Sequence, residues 1–272
     1  MNRISFITAN FVARQIGYHM TEGWMQGDAA TQDYFRPVET FGERLDRMLA
    51  EIRQMGFDAI DLWGAHLNWT WATPEHVAIA KDSLARHGLE VLSFATWVGS
   101  LQGLEGTCKL ARAMGVSLIA GGAPLLKEQR KEAVAILQHY GVRLGIENHP
   151  EKTPAEVLEL IGDGAEGHLG AAPDTGWWAT QAYSAPQALR ELSGHILTVH
   201  LKDVRSAGTH QTCRFGHGVA DIEGCVRALQ EIGYTGPLGI EHEPEQGDPT
   251  EDIKASRAML EGWLAAKATR GR

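Results

Sequence analysis

The stretch VRLGIENHP, residues 142–150, joins an apolar run to a cluster of polar side chains. The run at residues 142–146 is short and rich in branched aliphatic residues, which is typical of a buried strand. Glu147, Asn148 and His149 follow it directly, and Pro150 ends the strand pattern because it cannot donate a backbone hydrogen bond. We therefore predict a strand that delivers a carboxylate, an amide and an imidazole to its C-terminal end.

The same pattern recurs three times further along the chain. Short apolar runs precede Asp174, His200 and Glu241, which follow Glu147 at successive intervals of 27, 26 and 41 residues. One strand, loop, helix and loop takes roughly 25–40 residues, because a TIM barrel spreads ~250 residues over eight such units. Four successive strands are thus predicted to end on residues of types that bind metals.

The remainder of the chain repeats a helical pattern, a glycine and a short β-rich run. We count eight such strands alternating with eight helices, which favours a parallel sheet with crossover helices. The predicted fold class is α/β, a single (β/α)8 TIM barrel domain over residues 1–272. An open doubly wound sheet is the alternative, and it is disfavoured because no GxGxxG motif follows the first strand.

Two segments stand outside this repeat. Residues 10–40 begin with a long stretch that contains Tyr18, Trp24 and Tyr34 among glycines and polar residues. Long aromatic loops in compact domains are usually functional, so we predict an active-site loop, with an insertion packed on the barrel as the alternative. The last residues, 265–272, are predicted to form a frayed tail.

The bulk composition favours a globular protein without a nucleic-acid or membrane partner. The chain has 272 residues, of which 43 % are hydrophobic and 22 % charged, and its net charge is −9. An acidic surface disfavours nucleic acid and anionic membranes, and no apolar run reaches the ~18 residues of a membrane span. The three cysteines lack metal-binding spacing and are predicted to be reduced thiols. No signal-peptide pattern opens the sequence, so we expect a cytoplasmic protein.

The four residues at the strand ends form a plausible metal site. Active sites of TIM barrels lie at the C-terminal ends of the strands, and neighbouring strands lie ~4.8 Å apart. Glu147, Asp174, His200 and Glu241 would together offer three oxygens and one nitrogen. Such a carboxylate-rich set suits one divalent ion, Mn or Mg, with Co or Zn also compatible. Buried ion pairs or helix N-caps are the alternative reading of the same residues.

Several motifs resemble one known family. They are Gly-Ile-Glu-Asn-His around Glu147, Pro-Asp-Thr-Gly around Asp174, His200-Leu-Lys-Asp, the segment at residues 216–221, and Gly-Tyr-Thr-Gly before Glu241. Together they resemble the xylose isomerase-like TIM-barrel superfamily, and within it the sugar phosphate isomerase/epimerase branch with its inosose dehydratases and ketose 3-epimerases. The resemblance spans essentially the whole chain. It is specific for the fold and the metal site and poorly specific for the substrate.

The resemblance implies a metal site and a proton-transfer mechanism. Carried over by motif, Glu147, Asp174, His200 and Glu241 bind one divalent metal, and Glu147 and Glu241 are the catalytic residues on either side of the sugar. A proton α to a carbonyl becomes acidic when a cation stabilises the developing oxyanion. A carboxylate on each face can take that proton and return it through an enediolate. The implied partner is a small-molecule sugar or polyol.

A second set of residues is predicted to contact the substrate. It consists of His66, His149, Trp177, Lys202, Asp203, Arg205 and His217. Salt bridges at the barrel rim and solvated loop positions are the alternatives for these residues. Four tryptophans near strand ends could line an apolar wall or pack in the barrel: Trp63, Trp97, Trp177 and Trp178. Trp177 stands where members of the family often carry a histidine that contacts the substrate.

The sequence leaves two enzymatic functions open. The first is a divalent-metal-dependent sugar isomerase/epimerase, and the second is a metal-dependent lyase or dehydratase acting by β-elimination on an inosose or a 3-oxo-glycoside. A nuclease like the endonuclease IV group is disfavoured by Trp177 and by the net charge of −9. A non-catalytic binding protein is disfavoured by the intact ligand set. No clear phosphate-binding loop is present, although Gly121-Gly122 could begin one, and a homo-oligomer remains an option.

Overall fold

Eight parallel strands curl into a closed barrel with helices on the outside. The computed structural model describes residues 2–268. The strands are β1 (Ile4–Ile7), β2 (Ala59–Trp63), β3 (Glu90–Ala95), β4 (Leu118–Gly121), β5 (Arg143–Ile146), β6 (Leu169–Ala171), β7 (Val199–Val204), β8 (Thr212–Cys213) and β9 (Leu238–Glu241). The helices are α1 (Trp24–Phe35), α2 (Val38–Gln54), α3 (Pro74–His87), α4 (Leu101–Met114), α5 (Leu126–Tyr140), α6 (Pro154–Ile161), α7 (Thr175–Thr180), α8 (Ala185–Glu191), α9 (Ile222–Glu231) and α10 (Thr250–Ala268).

The strand pairing follows chain order around the barrel. The order is β6-β5-β4-β3-β2-β1-β9-β7, with every one of these neighbours parallel, and β8 adds an antiparallel hairpin strand to β7. Parallel bridges from Ala171 to Ile196 and from Asp174 to His200 join β6 to the start of β7 and close the barrel. The predicted (β/α)8 barrel is thus confirmed, with β8 as an unpredicted extra strand.

Local sequence signals explain most of the helix bounds. Thr73 caps α3 by accepting a hydrogen bond from the backbone N–H of His76, and Pro74 occupies the first turn. Gly88 ends the helix in the left-handed conformation that glycine adopts without steric cost, with φ of 61°. Helix α2 forms because its apolar residues recur at helical spacing, and these side chains are buried: Phe41, Leu45, Met48, Leu49 and Ile52.

The segment at residues 10–40 is more structured than the predicted loop. It contains helix α1, two short 3₁₀ turns and the start of α2. Helix α1 was not predicted from the sequence because its apolar stripe is weak. Its only buried residues are Gly27, Thr31 and Phe35. Gly27 is required where it stands, since a Cβ there would lie 2.3 Å from the Val12 carbonyl oxygen.

Strand β7 begins later than predicted. The apolar run at residues 196–199 predicts a strand that ends before His200, but the strand in the structure is Val199–Val204, so His200, Lys202 and Asp203 lie within it and not after it. Side chains alternate between the two faces of a strand. His200 and Lys202 therefore point together into the barrel mouth, and Asp203 points to the other side.

Two further predictions concern the C-terminal tail and the number of domains. In the predicted tail, residues 265–268 continue helix α10, and residues 269–272 lie outside the described residues. The single-domain assignment of residues 1–272 stays a prediction.

Cys108, Cys213 and Cys225 are free and buried. Among residues 2–268, none of the helices is both long enough and apolar enough to cross a membrane.

Candidate metal centre and active site

The four predicted metal ligands lie together at the C-terminal rim of the barrel. Glu147 directly follows β5, Asp174 follows β6, His200 is the second residue of β7, and Glu241 is the last residue of β9. Because parallel strands end at the same edge of a barrel, their side chains converge. Asp174, His200 and Glu241 are buried, and the side chain of Glu147 is nearly so.

His200 lies between the two glutamates that the sequence nominates as catalytic. Its Nδ1 is 2.8 Å from Glu147 Oε1 and 3.4 Å from Glu241 Oε2. One ligand atom from each of these three residues lies within 4.8 Å of the others, which is compact enough to surround one ion. Glu147, His149 and Asp174 form a second group of the same compactness. Glu147 therefore belongs to both groups.

Asp174 has a structural role in addition to its place in the cluster. Its Oδ1 accepts hydrogen bonds from the backbone N–H groups of Gly176 at 2.8 Å and Trp177 at 3.2 Å, and so caps helix α7. Asn148 holds the backbone of Asp174 in place through Nδ2 and Oδ1. The alternative reading as an N-cap is thus correct for Oδ1, and Oδ2 remains directed at the cluster.

Lys202 places an ammonium group among three carboxylates. Its Nζ is 2.9 Å from Asp174 Oδ2, 2.6 Å from Glu241 Oε1 and 3.3 Å from Glu243 Oε2. The side chain is only 7 % exposed, so these charges are poorly screened by solvent. Lys202 is thus a neighbour of two predicted metal ligands.

Burial and mutual charge shift the pKa values of the cluster in opposite directions. Burial acts to raise the pKa of each glutamate, but His149 and His200 bring the pKa of Glu147 below its ordinary value, and Lys202 and His200 do the same for Glu241. Burial raises the pKa of Asp174 despite the attraction of Lys202. Glu147 and Glu241 are therefore held as carboxylates, the form in which they can bind a cation or accept a proton.

The residues of the cluster fit a divalent metal ion. His200 Nε2 is buried and makes no hydrogen bond or ion pair within the described residues, and the buried atoms His149 Nε2 and Glu241 Oε2 each have only one ion-pair contact, at 3.4 Å. Buried polar atoms without hydrogen bonds are rare and call for an explanation such as a bound ion. Three carboxylates and an imidazole are donors that Mn, Mg, Co or Zn accept.

A cavity of about 940 Å³ opens over this cluster. Glu147, His200 and Glu241 line it, whereas Asp174 is fully buried beneath. Five tryptophans contribute to the wall: Trp24, Trp63, Trp69, Trp97 and Trp177. The volume lies near the upper end of the ~300–1,000 Å³ typical of ligand pockets.

The structure brings three of the predicted substrate residues to this cavity. His149, Trp177 and Lys202 all line it. The ring of Trp177 packs between His149 and His210, with centroids 3.9 Å and 4.5 Å apart. Trp178 is not part of the wall, because it is fully buried in the core.

Four other predicted substrate residues do not reach the cavity. Asp203 points outward from β7 and accepts hydrogen bonds from backbone N–H groups at residues 216–220. His217 lies in that loop and is exposed, as is Arg205. His66 is buried below the rim, where its Nδ1 lies 3.1 Å from Thr8 Oγ1. Their contact with the substrate stays a prediction, and the lining of the cavity does not include them.

The structure adds three residues that sequence reasoning missed. Glu243 lines the cavity, contacts Lys202, and accepts a hydrogen bond of 3.2 Å from Trp24 Nε1. Its signal was the spacing from Glu241, because residues two apart on an extended segment share a face. His210 reaches the cavity from a hairpin turn, and no local pattern marked it. Trp24 reaches the cavity from α1, and the sequence marked it only as one aromatic residue of the predicted active-site loop.

Comparison with known proteins identifies the family. The profile described as xylose isomerase-like TIM barrel matches residues 49–263, so the chain belongs to this family. The predicted family and fold are confirmed.

Individual relatives are more distant. L-ribulose-5-phosphate 3-epimerase UlaE of Escherichia coli strain Crooks is 36 % identical over 95 residues, which are 35 % of this chain and 32 % of that protein. The match thus spans about a third of the length of the curated relatives. A structure of L-ribulose 3-epimerase has a TM-score of 0.71 and 18 % identity, covering 100 % of this chain and 97 % of that chain. The probable 3-DHS dehydratase AsbF of Bacillus anthracis has a TM-score of 0.68 and 15 % identity, covering 96 % and 99 %.

Proposed function

We propose that the protein is a divalent-metal-dependent sugar isomerase or epimerase that abstracts a proton α to a carbonyl. The observation that carries this proposal is the arrangement of Glu147 and Glu241 on either side of His200 Nδ1, at 2.8 Å and 3.4 Å. Two carboxylates around one candidate ion, under a cavity large enough for a sugar, are what two-base proton transfer requires. The names of the relatives, L-ribulose-5-phosphate 3-epimerase and L-ribulose 3-epimerase, support the same reaction class.

In this proposal the chain's own residues divide the work. Glu147, Asp174, His200 and Glu241 hold the ion, which when bound supplies the charge that makes the α proton acidic. Either Glu147 or Glu241 takes the proton from one face of the sugar, and the other gives a proton to the opposite face. The accepting glutamate starts as a carboxylate, the form that its lowered pKa favours, and the donating glutamate must first take up a proton from solvent. Trp177 and His149 form the wall beside the reacting carbons.

The side chain of Lys202 orients this machinery. Its ammonium contacts Asp174 Oδ2 and Glu241 Oε1, one oxygen of each, so it limits the rotation of both carboxylates. A carboxylate held by a charge-assisted hydrogen bond is positioned more precisely than a free one.

The proposed substrate is a small sugar or polyol in the cytoplasm.

A test combines metal content with solvent exchange. The purified protein is assayed for bound divalent metal, then incubated in D₂O with a panel of ketoses, inososes and 3-oxo-glycosides. We expect about one metal per chain and deuterium at the carbon α to the carbonyl. Glu147→Gln and Glu241→Gln should each lower turnover by a factor of ~10² or more while the fold survives. Glu159→Gln, at an exposed carboxylate, is the control.

A second candidate function is elimination. The cavity of about 940 Å³ and its tryptophan wall leave room for a leaving group beyond the sugar ring. The same carbanion would then expel a β substituent, as in a dehydratase. The product of the exchange experiment decides: a stereoisomer supports epimerisation, and an unsaturated product supports elimination. Absence of metal together with absence of exchange on every substrate would overturn both.

A further inference from the structure

Acidic side chains outnumber lysine and arginine in the lining of the cavity. Five carboxylates face it, Asp28, Glu147, Glu241, Glu243 and Glu245, and within residues 2–268 Lys202 is the sole lysine or arginine of the lining. The ammonium of Lys202 already contacts three carboxylates at 2.6–3.3 Å. A phosphate ester needs free cationic or N–H donors, and this lining offers like charge instead.

The backbone groups that could hold a phosphate are also engaged. The N-terminus of α7 borders the cavity, but Asp174 Oδ1 already accepts from the N–H groups of Gly176 and Trp177. In many TIM barrels the loops after the last two barrel strands bind phosphate. Here the loop after the last barrel strand carries Glu243 and Glu245 at the cavity wall.

The mouth of the cavity is apolar where it meets solvent. Four large hydrophobic side chains are exposed among the described residues, and three of them line this one cavity: Trp24 at 38 %, Met25 at 68 % and Trp97 at 59 %. Exposed apolar groups gathered at one place mark a binding surface. This apolar mouth adjoins the acidic residues of the cavity, because Trp24 also donates a hydrogen bond to Glu243.

The ring of Trp97 forms the flat part of this mouth. It lies against Gly122, where a Cβ would come within 2.3 Å of the ring carbons, so the glycine makes room for the indole. Gly122 thus makes room for an aromatic ring and Gly121 for the backbone of Thr96, which accounts for both glycines without a phosphate-binding loop. Trp24 in turn packs edge-on against Trp63, with ring centroids 5.1 Å apart.

From this arrangement we infer that the cavity accepts an uncharged carbonyl sugar bearing an aromatic or apolar substituent, and that it rejects sugar phosphates. The inference rests on the proposed function for the position of the sugar. The carbonyl end lies over the candidate metal ligands, and the substituent lies against Trp97, Trp24 and Met25. Trp97 is then a specificity-determining residue, and its contribution falls on substrate binding and not on proton transfer.

The test compares three probes: a free ketohexose, its phosphate ester, and a phenyl glycoside that carries a ring ketone. Turnover is followed by deuterium exchange α to the carbonyl. We expect the phenyl glycoside to have the highest kcat/KM and the phosphate ester the lowest. Trp97→Ala should raise KM for the phenyl glycoside by about tenfold more than it raises KM for the ketohexose, so the ratio of the two KM values is the readout. Val219→Ala, at the exposed apolar residue outside the cavity, is the control.

Direct binding separates this inference from the proposed reaction. Calorimetry with phenyl glucoside and with glucose 6-phosphate needs no turnover. Suppose that phenyl glucoside binds, that Trp97→Ala weakens this binding, and that no substrate exchanges deuterium. This result would overturn the proposed proton-transfer reaction and would support the inferred class of apolar-substituted sugars. A phosphate ester that binds or turns over better than its uncharged counterpart would overturn the inference, even if the isomerase reaction is observed. Equal behaviour of wild type and Trp97→Ala on the phenyl glycoside would also overturn it.

Discussion

Replacing Lys202 by methionine removes the ammonium group that contacts three carboxylates beside the candidate metal ligands. Nζ is 2.6 Å from Glu241 Oε1 and 2.9 Å from Asp174 Oδ2, and the side chain is 7 % exposed. Removing one partner of a buried ion pair costs ~3–5 kcal/mol, because the remaining charge is left uncompensated. We therefore expect metal-free Lys202→Met to lose about 3–5 kcal/mol of unfolding free energy relative to wild type.

The same substitution should strengthen the binding of a divalent metal. Lys202 competes with an incoming cation for Asp174 and Glu241, and two unit charges ~4 Å apart interact by ~4 kcal/mol at an effective dielectric constant of ~20. Part of that energy is offset by repulsion among the carboxylates that lose their partner. We expect the affinity for Mn²⁺ to rise by about tenfold or more, which corresponds to ~1.4 kcal/mol.

The assay measures both quantities without reference to activity. Urea unfolding in EDTA gives the stability of the metal-free protein, and calorimetric titration with Mn²⁺ gives the affinity. Lys109→Met is the control, because it removes a solvent-exposed pair with Glu105 and such pairs contribute little. The reasoning is refuted if metal-free Lys202→Met is as stable as wild type, or if its Mn²⁺ affinity is unchanged or weaker.

Two further predictions concern predicted substrate residues that the structure places outside the cavity. Asp203→Asn replaces a carboxylate oxygen that accepts hydrogen bonds from backbone N–H groups at residues 216–220. The substitution should lower the free energy of unfolding by ~1–3 kcal/mol and speed hydrogen exchange in that loop, with KM unchanged. A raised KM with normal exchange would instead indicate that Asp203 contacts the substrate. Burial lowers the pKa of His66 from 6.5 to about 3, so its stabilising effect is complete above pH ~6.5 and declines as the pH falls towards 3. Between pH ~7.5 and ~5 the wild type should lose ~2 kcal/mol more than His66→Gln in urea titrations, and equal losses would show that His66 is not buried in its neutral form.

Local patterns were enough to predict the barrel and the convergence of the four candidate metal ligands. An apolar run followed at once by a polar residue places Glu147, Asp174 and Glu241 at strand ends wherever the strands pair, because parallel strands end at one rim. The bounds of the capped helices were predictable for the same reason, since Thr73 and Gly88 act within one turn of the chain. Helix α7 was not among the predicted helices, although a helix N-cap was the alternative reading of Asp174, which caps it.

The remaining features depend on which way a side chain points and on what packs over it. Strand β7 starts at Val199, so His200 and Lys202 face the cavity and Asp203 faces away, and a shift of one residue would exchange these roles. The sequence by itself determined the order of the strands and the types of side chain that could bind a metal, because both depend on residues that are adjacent in the chain. Only the tertiary structure decided that Trp24 reaches Glu243 across 219 positions, since such contacts arise when distant segments share one buried volume.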